Sequence, residues 1–128
     1  MMLRRTDRGS AVVDFVLVLV VLLPVFLGIL QLALVLHVRN TLTSAASEGA
    51  RYGATADRGP ADAVAKTREQ IRGAISSRYA DHVTAREVMV DGAPTVEVRV
   101  EATVPALGIG GPGIHLSLAG HAVEEQQP

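Results

Sequence analysis

The sequence predicts an α+β chain in which a long N-terminal helix crosses a membrane and is followed by a second short helix and a three-stranded antiparallel sheet. Three observations predict it. Residues Phe15 to Leu36 run 22 positions without a formal charge. Apolar residues then recur at helical spacing as far as Tyr79, and from Thr95 to Val104 apolar and polar residues alternate strictly.

The charge-free run, FVLVLVVLLPVFLGILQLALVL, is interrupted only by Pro24, Gly28 and Gln31. At about 1.5 Å of rise per residue it covers the roughly 30 Å hydrocarbon core of a bilayer, so residues 15–36 are expected to form one transmembrane segment. Arg4, Arg5 and Arg8 outnumber Asp7 before it, whereas Arg39, Glu48 and Arg51 nearly balance after it. That asymmetry predicts a cytoplasmic N-terminus and an extracytoplasmic C-terminal part, anchored in the cytoplasmic membrane. An ordinary secretory signal has a shorter apolar region followed closely by small residues. Here HVRNTLT intervenes before Ser44 to Ser47, and the charged Thr6-Asp7-Arg8 after Arg4-Arg5 does not suit a twin-arginine signal.

Leu42, Ala45, Ala46, Gly49, Ala50 and Gly53 keep the helical stripe going with small residues, which extends the first helix to about residue 55. Two ladders, Ala45-Gly49-Gly53 and Ala46-Ala50-Ala54, place a small residue at every fourth position, so that another backbone can approach closely. Ordinary packing of an alanine-rich helix on its own domain uses the same residues. Pro24 cannot donate to the carbonyl of Val20 and is expected to kink or loosen the helix there. Asp57-Arg58-Gly59-Pro60 then punctuates the chain, and Val64, Arg68, Ile71, Ile75 and Tyr79 mark one face of an amphipathic helix over 61–79. Strands are expected over 83–90, 95–104 and 114–122, joined by a hairpin loop at Asp91-Gly92-Ala93-Pro94 and a flexible apolar loop from Pro105 to Gly113. With no helix between them, they form a meander covered on one face by helix. The expected division is a basic leader at 1–9, the long helix at 10–55, a small α+β head at 56–123 and a loose tail at 124–128.

Composition excludes several classes of function. With a net charge of −1 and an aromatic content of 3%, the chain lacks both the basic footprint and the stacking platforms of a nucleic-acid partner. The absence of Cys excludes disulfide scaffolds, thiol chemistry and cysteine zinc sites. His37, His82, His115 and His121 show no metal-ligand spacing, and His115 and His121, though on one strand face, are separated by about 20 Å. Gly108, Gly110 and Gly113 match GxGxxG, but Pro112 interrupts the pattern and a strand follows where a nucleotide-binding turn needs a helix. No catalytic triad, phosphate loop or paired carboxylate stands out, so no enzyme activity, cofactor or metal is expected.

Asp14 is the exception to the apolar pattern. It lies between Ala11-Val12-Val13 and Phe15-Val16-Leu17, where a plain anchor has no use for a carboxylate. Gly9-Ser10 stands just before it, at the junction of the basic leader and the apolar helix. A cut after Gly9 would give Ser10 a free ammonium one helical turn from Asp14, a pair able to neutralise charge within a chain or between neighbours. The stretch Arg8-Gly9-Ser10-Ala11-Val12-Val13-Asp14-Phe15, the Leu/Val-rich helix with Pro24 and Gly28, and Ala45-Ala46-Ser47-Glu48-Gly49-Ala50-Arg51-Tyr52 together resemble the TadE-like minor pseudopilins of tight-adherence (Flp) pilus systems, which carry a class III, prepilin-type signal. The resemblance implies a pilin-like fold, cleavage between Gly9 and Ser10 by a prepilin peptidase, and a place in or beside a pilus. It also implies other pilins, inner-membrane platform proteins and the lipid bilayer as partners. Where such families usually carry Glu at the fifth mature position, this chain has Asp14. An uncleaved, membrane-anchored adaptor outside any filament is the alternative reading.

Overall fold

The structure, a computed structural model, describes residues 2–108 and 111–125, with side chains from Asp7 onward. The side chains of Arg4 and Arg5, Gly110 of the expected loop and the tail from residue 126 lie outside the described residues. The order of elements is α1 (Met2–Gly53), α2 (Pro60–Ala74), a 3-10 turn (Ser77–Ala80), β1 (His82–Val90), β2 (Ala93–Val104) and β3 (Ile114–Val123). The strands pair antiparallel in the order β1-β2-β3, the meander expected from the sequence.

α1 begins before the expected leader junction at Gly9-Ser10 and continues unbroken through Pro24. Its two halves meet different surroundings. From Asp7 to Phe26 every residue is exposed, including Val12, Phe15, Leu19 and Phe26. From Val38 onward one face is buried: Val38, Leu42, Ala46 and Ala50 are 0–1% exposed and meet Val96, Val98, Val100 and Val104 of β2 in one core. The alternation read from the sequence thus places those four valines, with Ala102, on the helix-covered face of the sheet.

The small residues of α1 set its distance from the rest of the head. A Cβ added at Gly49 would overlap the Thr67 hydroxyl and lie 2.8 Å from the Ala63 carbonyl oxygen, so α2 rests against bare backbone. At Gly120 of β3 an added Cβ would lie 2.6 Å from the backbone of Ala46 and Ser47. Both ladders are therefore occupied by this chain's own α2 and β3. Thr67 is buried without penalty because its hydroxyl donates to the Ala63 carbonyl at 2.8 Å.

α2 is shorter than the periodicity predicts. Pro60 opens it, and the Asp62 carboxylate accepts the Gly59 N–H at 3.0 Å. It ends at Ala74 because Ile75 turns extended, and Tyr79 reaches the core from the 3-10 turn. Its buried face is Ala63, Thr67 and Ile71, while Val64 and Ile75 pack at the margin. The Arg58 guanidinium lies 3.7 Å over the ring of Tyr52 and ties the α1–α2 turn to the end of α1.

The hairpin is also tighter than expected. Asp91 (φ 50°) and Gly92 (φ 81°) make a two-residue turn with both φ values positive, so Ala93 and Pro94 belong to β2. The tail is held at its first two residues, where the N–H groups of Glu124 and Glu125 donate to the carbonyls of Pro94 at 2.8 Å and Ala54 at 2.7 Å.

Gly120→Ala should destabilise the head by about 1–3 kcal/mol, because the methyl would meet α1 main chain at Ala46 and Ser47 and not a side chain that can move aside. Gly73→Ala, with nothing within 4 Å of the added carbon, should be neutral or slightly stabilising. Thermal melts of the detergent-solubilised chain, followed by circular dichroism, check the pair.

Candidate functional site

α1 carries Gly9, Ser10 and Asp14 on consecutive turns, all exposed. Ser10 and Asp14 are four residues apart and share a helix face. The bond between Gly9 and Ser10 lies inside the helix, and nothing stands within 4 Å of the position a Gly9 side chain would take. Beyond Asp14 the helix surface is apolar all round as far as Phe26, which requires lipid or other apolar chains around it. The span and the exposed junction are thus contiguous on one rod, anchoring the chain in a membrane by a single pass.

The other sequence-derived positions lie elsewhere. Ala45, Ala46, Gly49, Ala50 and Gly53 are buried inside the head, about 50 Å of helix from Ser10 to Ala45 at 1.5 Å per residue. Pro24 sits in the exposed half. Histidines 115 and 121 are on the outer face of the sheet, away from the helices, as alternation along β3 requires.

That outer face holds a cluster the sequence reading did not single out. Arg86, Glu97 and His121 stand directly opposite one another across the three strands. Arg86 Nε donates to Glu97 Oε1 at 3.1 Å, and Arg99 Nη2 approaches the same oxygen at 3.5 Å. His121 Nε2 lies 2.9 Å from Oε2, and since the carboxylate can only accept, the imidazole donates. Glu97 is covered by these neighbours although it points away from the core. The His121 hydrogen bond is the main cause holding its carboxyl below the usual range; burial works against it, and Arg86 adds by charge and hydrogen bond. Alternation placed Glu97 and Arg99 on one face, but the partners from β1 and β3 depend on the register of both pairings.

One further polar residue is placed by the fold. Gln31, in the apolar run, uses both ends of its amide: Nε2 donates to the Pro105 carbonyl at 3.3 Å, and Oε1 accepts the Leu107 N–H at 2.7 Å. A lone amide among 22 uncharged residues is the sequence signal for such a contact, because hydrocarbon offers it no partner.

Comparison with known families matches residues 9–51 to the family described as TadE-like protein. The match begins at Gly9, ends at Arg51 and lies wholly within α1. No curated protein and no solved structure matches the chain.

A carboxyl held below its ordinary range stabilises the fold at pH values above that range, and the contribution is lost as pH falls through the lowered pKa. Glu97→Gln should therefore lower the melting temperature at neutral pH, and its melting curve should converge on that of the parent in acid. Melts from neutral pH down through the carboxylate range, followed by circular dichroism, check the convergence.

Proposed function

We propose that this chain, TadE-like over residues 9–51, is a pseudopilin, a minor pilin-like component that takes part in assembling or priming a tight-adherence pilus or a related secretion apparatus. The TadE-like segment supports a pseudopilin-like role associated with a Tad pilus, and the family is structural and pilin-like. The observation that carries the finer reading is where the matched segment starts: at Gly9, one residue before the helix face on which Ser10 and Asp14 stand together.

In this reading a prepilin peptidase cuts between Gly9 and Ser10 on the cytoplasmic side of the membrane, where Arg4, Arg5 and Arg8 keep the leader. A protease needs an extended substrate, so this helical bond must first unwind. Gly9 lowers that cost by roughly 0.5–1 kcal/mol relative to Ala, and its missing side chain admits the backbone to a narrow cleft. The cut creates an ammonium on Ser10, one turn from the Asp14 carboxylate. In an apolar setting the two charges are tolerated only as a pair, within the chain or with a staggered neighbour.

The exposed apolar surface from Phe15 to Phe26 is then what packs against other pilins and pseudopilins when the helix leaves lipid for a filament. The ladder residues Ala45, Ala46, Gly49, Ala50 and Gly53 hold the head rigidly on the end of that helix. Pro24, lacking its hydrogen bond to Val20, is the point where the membrane half can bend as it is extracted. Inner-membrane platform proteins would meet the cytoplasmic end, and the head would face outward for its partners.

Mass spectrometry of the membrane-purified chain, from cells with a working prepilin peptidase, tests the processing step: a mature species starting at Ser10 is expected, and an intact leader contradicts it. Gly9→Ala should reduce processing strongly. Asp14→Ala should leave processing intact and abolish recovery of the chain with assembled pili, whereas Asp14→Glu should preserve it.

A further inference from the structure

Helix α1 enters the head earlier than its apolar run ends. The stripe that becomes the core at Val38 and Leu42 continues backward through Leu34 and Val35, both packed on the core, to Gln31 and Leu27. What it meets at Leu27 and Gln31 is the segment after β2, Pro105 to Gly108. Gln31 lies five residues before Leu36, about 7.5 Å along the helix from the end of the charge-free run, and Pro24 about 18 Å. The half-thickness of the hydrocarbon core is about 15 Å. The loop thus descends alongside helix at a depth that belongs to the bilayer.

Irregular backbone at that depth must have its polar groups satisfied without water. The Gln31 amide does this for two of them, taking the Leu107 N–H and giving its own N–H to the Pro105 carbonyl. Leu107 and Ile114 are large apolar side chains left 42% and 41% exposed on this side of the head. They border an open groove of about 590 Å³ whose other wall is Leu23, Pro24 and Leu27 of the span, with Gln31 as its polar side chain. That wall runs directly into the exposed apolar surface of Leu22, Val25 and Phe26, which lipid covers while the helix spans the membrane.

We infer that the segment following β2 is a membrane-inserted wedge: Pro105 to Gly108, with Pro112 and Ile114 beside it, sits in the leaflet on the head's side, and lipid acyl chains fill the groove between it and α1. Gln31 is the span's polar partner for the inserted backbone. The inference rests on the membrane span and is independent of leader processing and of filament assembly. Its consequence is that the chain is held at two places in the bilayer, which removes the freedom of helix and head to rotate together about the helix axis.

The chain has no Trp, so single tryptophans report without background. Leu107→Trp, Ile114→Trp, Val18→Trp within the span and Met89→Trp at the far end of the head are each reconstituted as full chains in phosphatidylcholine/phosphatidylglycerol vesicles. Quenching by brominated acyl chains is compared with quenching by aqueous iodide. Leu107→Trp and Ile114→Trp should follow Val18→Trp, with blue-shifted emission and lipid quenching several-fold above that of Met89→Trp. Adding Gln31→Leu to Leu107→Trp should restore iodide access. If the loop tryptophans follow Met89→Trp while Val18→Trp is lipid-quenched, the wedge is overturned and the span stands. Blue-shifted loop emission without lipid quenching means that protein covers the groove, and also overturns it. If Val18→Trp itself escapes lipid quenching, the span fails and the wedge with it.

Discussion

The close contact of α1 with α2 and β3 is the constraint on which the rest of the structure depends. Gly49 and Gly53 bring α2 onto helix backbone, and Gly120 brings β3 onto the backbone at Ala46 and Ser47. Contacts this close leave little room for sliding, since any added carbon meets main chain. Because the same helix continues into the membrane half, the packing of the head also fixes its orientation to the bilayer. A helix of 52 residues spans about 78 Å, and its stability comes from two unrelated sources, lipid along one half and a valine-rich sheet along the other.

The sheet is built for one-sided burial. Its central strand turns Val96, Val98, Val100, Ala102 and Val104 inward, while its outer face remains in water and is organised around Glu97. That carboxylate is held by Arg86 and His121 from the flanking strands and Arg99 from its own, so it ties all three strands together where no helix covers them. Exposed single ion pairs contribute little. Here the central group is shielded and shared, and its ionisation gives the head a dependence on acidity.

Much of this was legible in the sequence because it rests on local period. The alternation of Val96, Val98, Val100, Ala102 and Val104 set the inner face of β2, the small-residue stripe set the buried face of α1, and Asp91-Gly92 marked the hairpin. What could not be read depends on contacts distant in the chain. α2 stops at Ala74 although apolar spacing continues to Tyr79, because Ile75 turns extended and Tyr79 reaches the core from a separate turn. Gln31 and Leu107 meet across 76 positions, and Glu97 finds His121 only through the β2–β3 register. Glu124 and Glu125 read as loose from their polarity, yet their backbone N–H groups donate to the carbonyls of Pro94 and Ala54. The proposed junction lies at the other extreme: among the described residues Gly9, Ser10 and Asp14 have no tertiary setting to discover, being exposed on a single helix, and sequence spacing alone places them.

One continuous helix, exposed and apolar in its first half and core-packed in its second, joins the span to the head with no break at the boundary between them. The chain has no Cys, so single nitroxide labels can be placed from Leu27 to Ser44 in vesicles and their accessibility to oxygen read position by position. An unbroken period of about 3.6 residues across Leu36, with minima at Gln31, Val35, Val38 and Leu42, is the predicted result. Loss of the period between Leu34 and Asn40 would reveal a hinge between span and head and contradict the single rod.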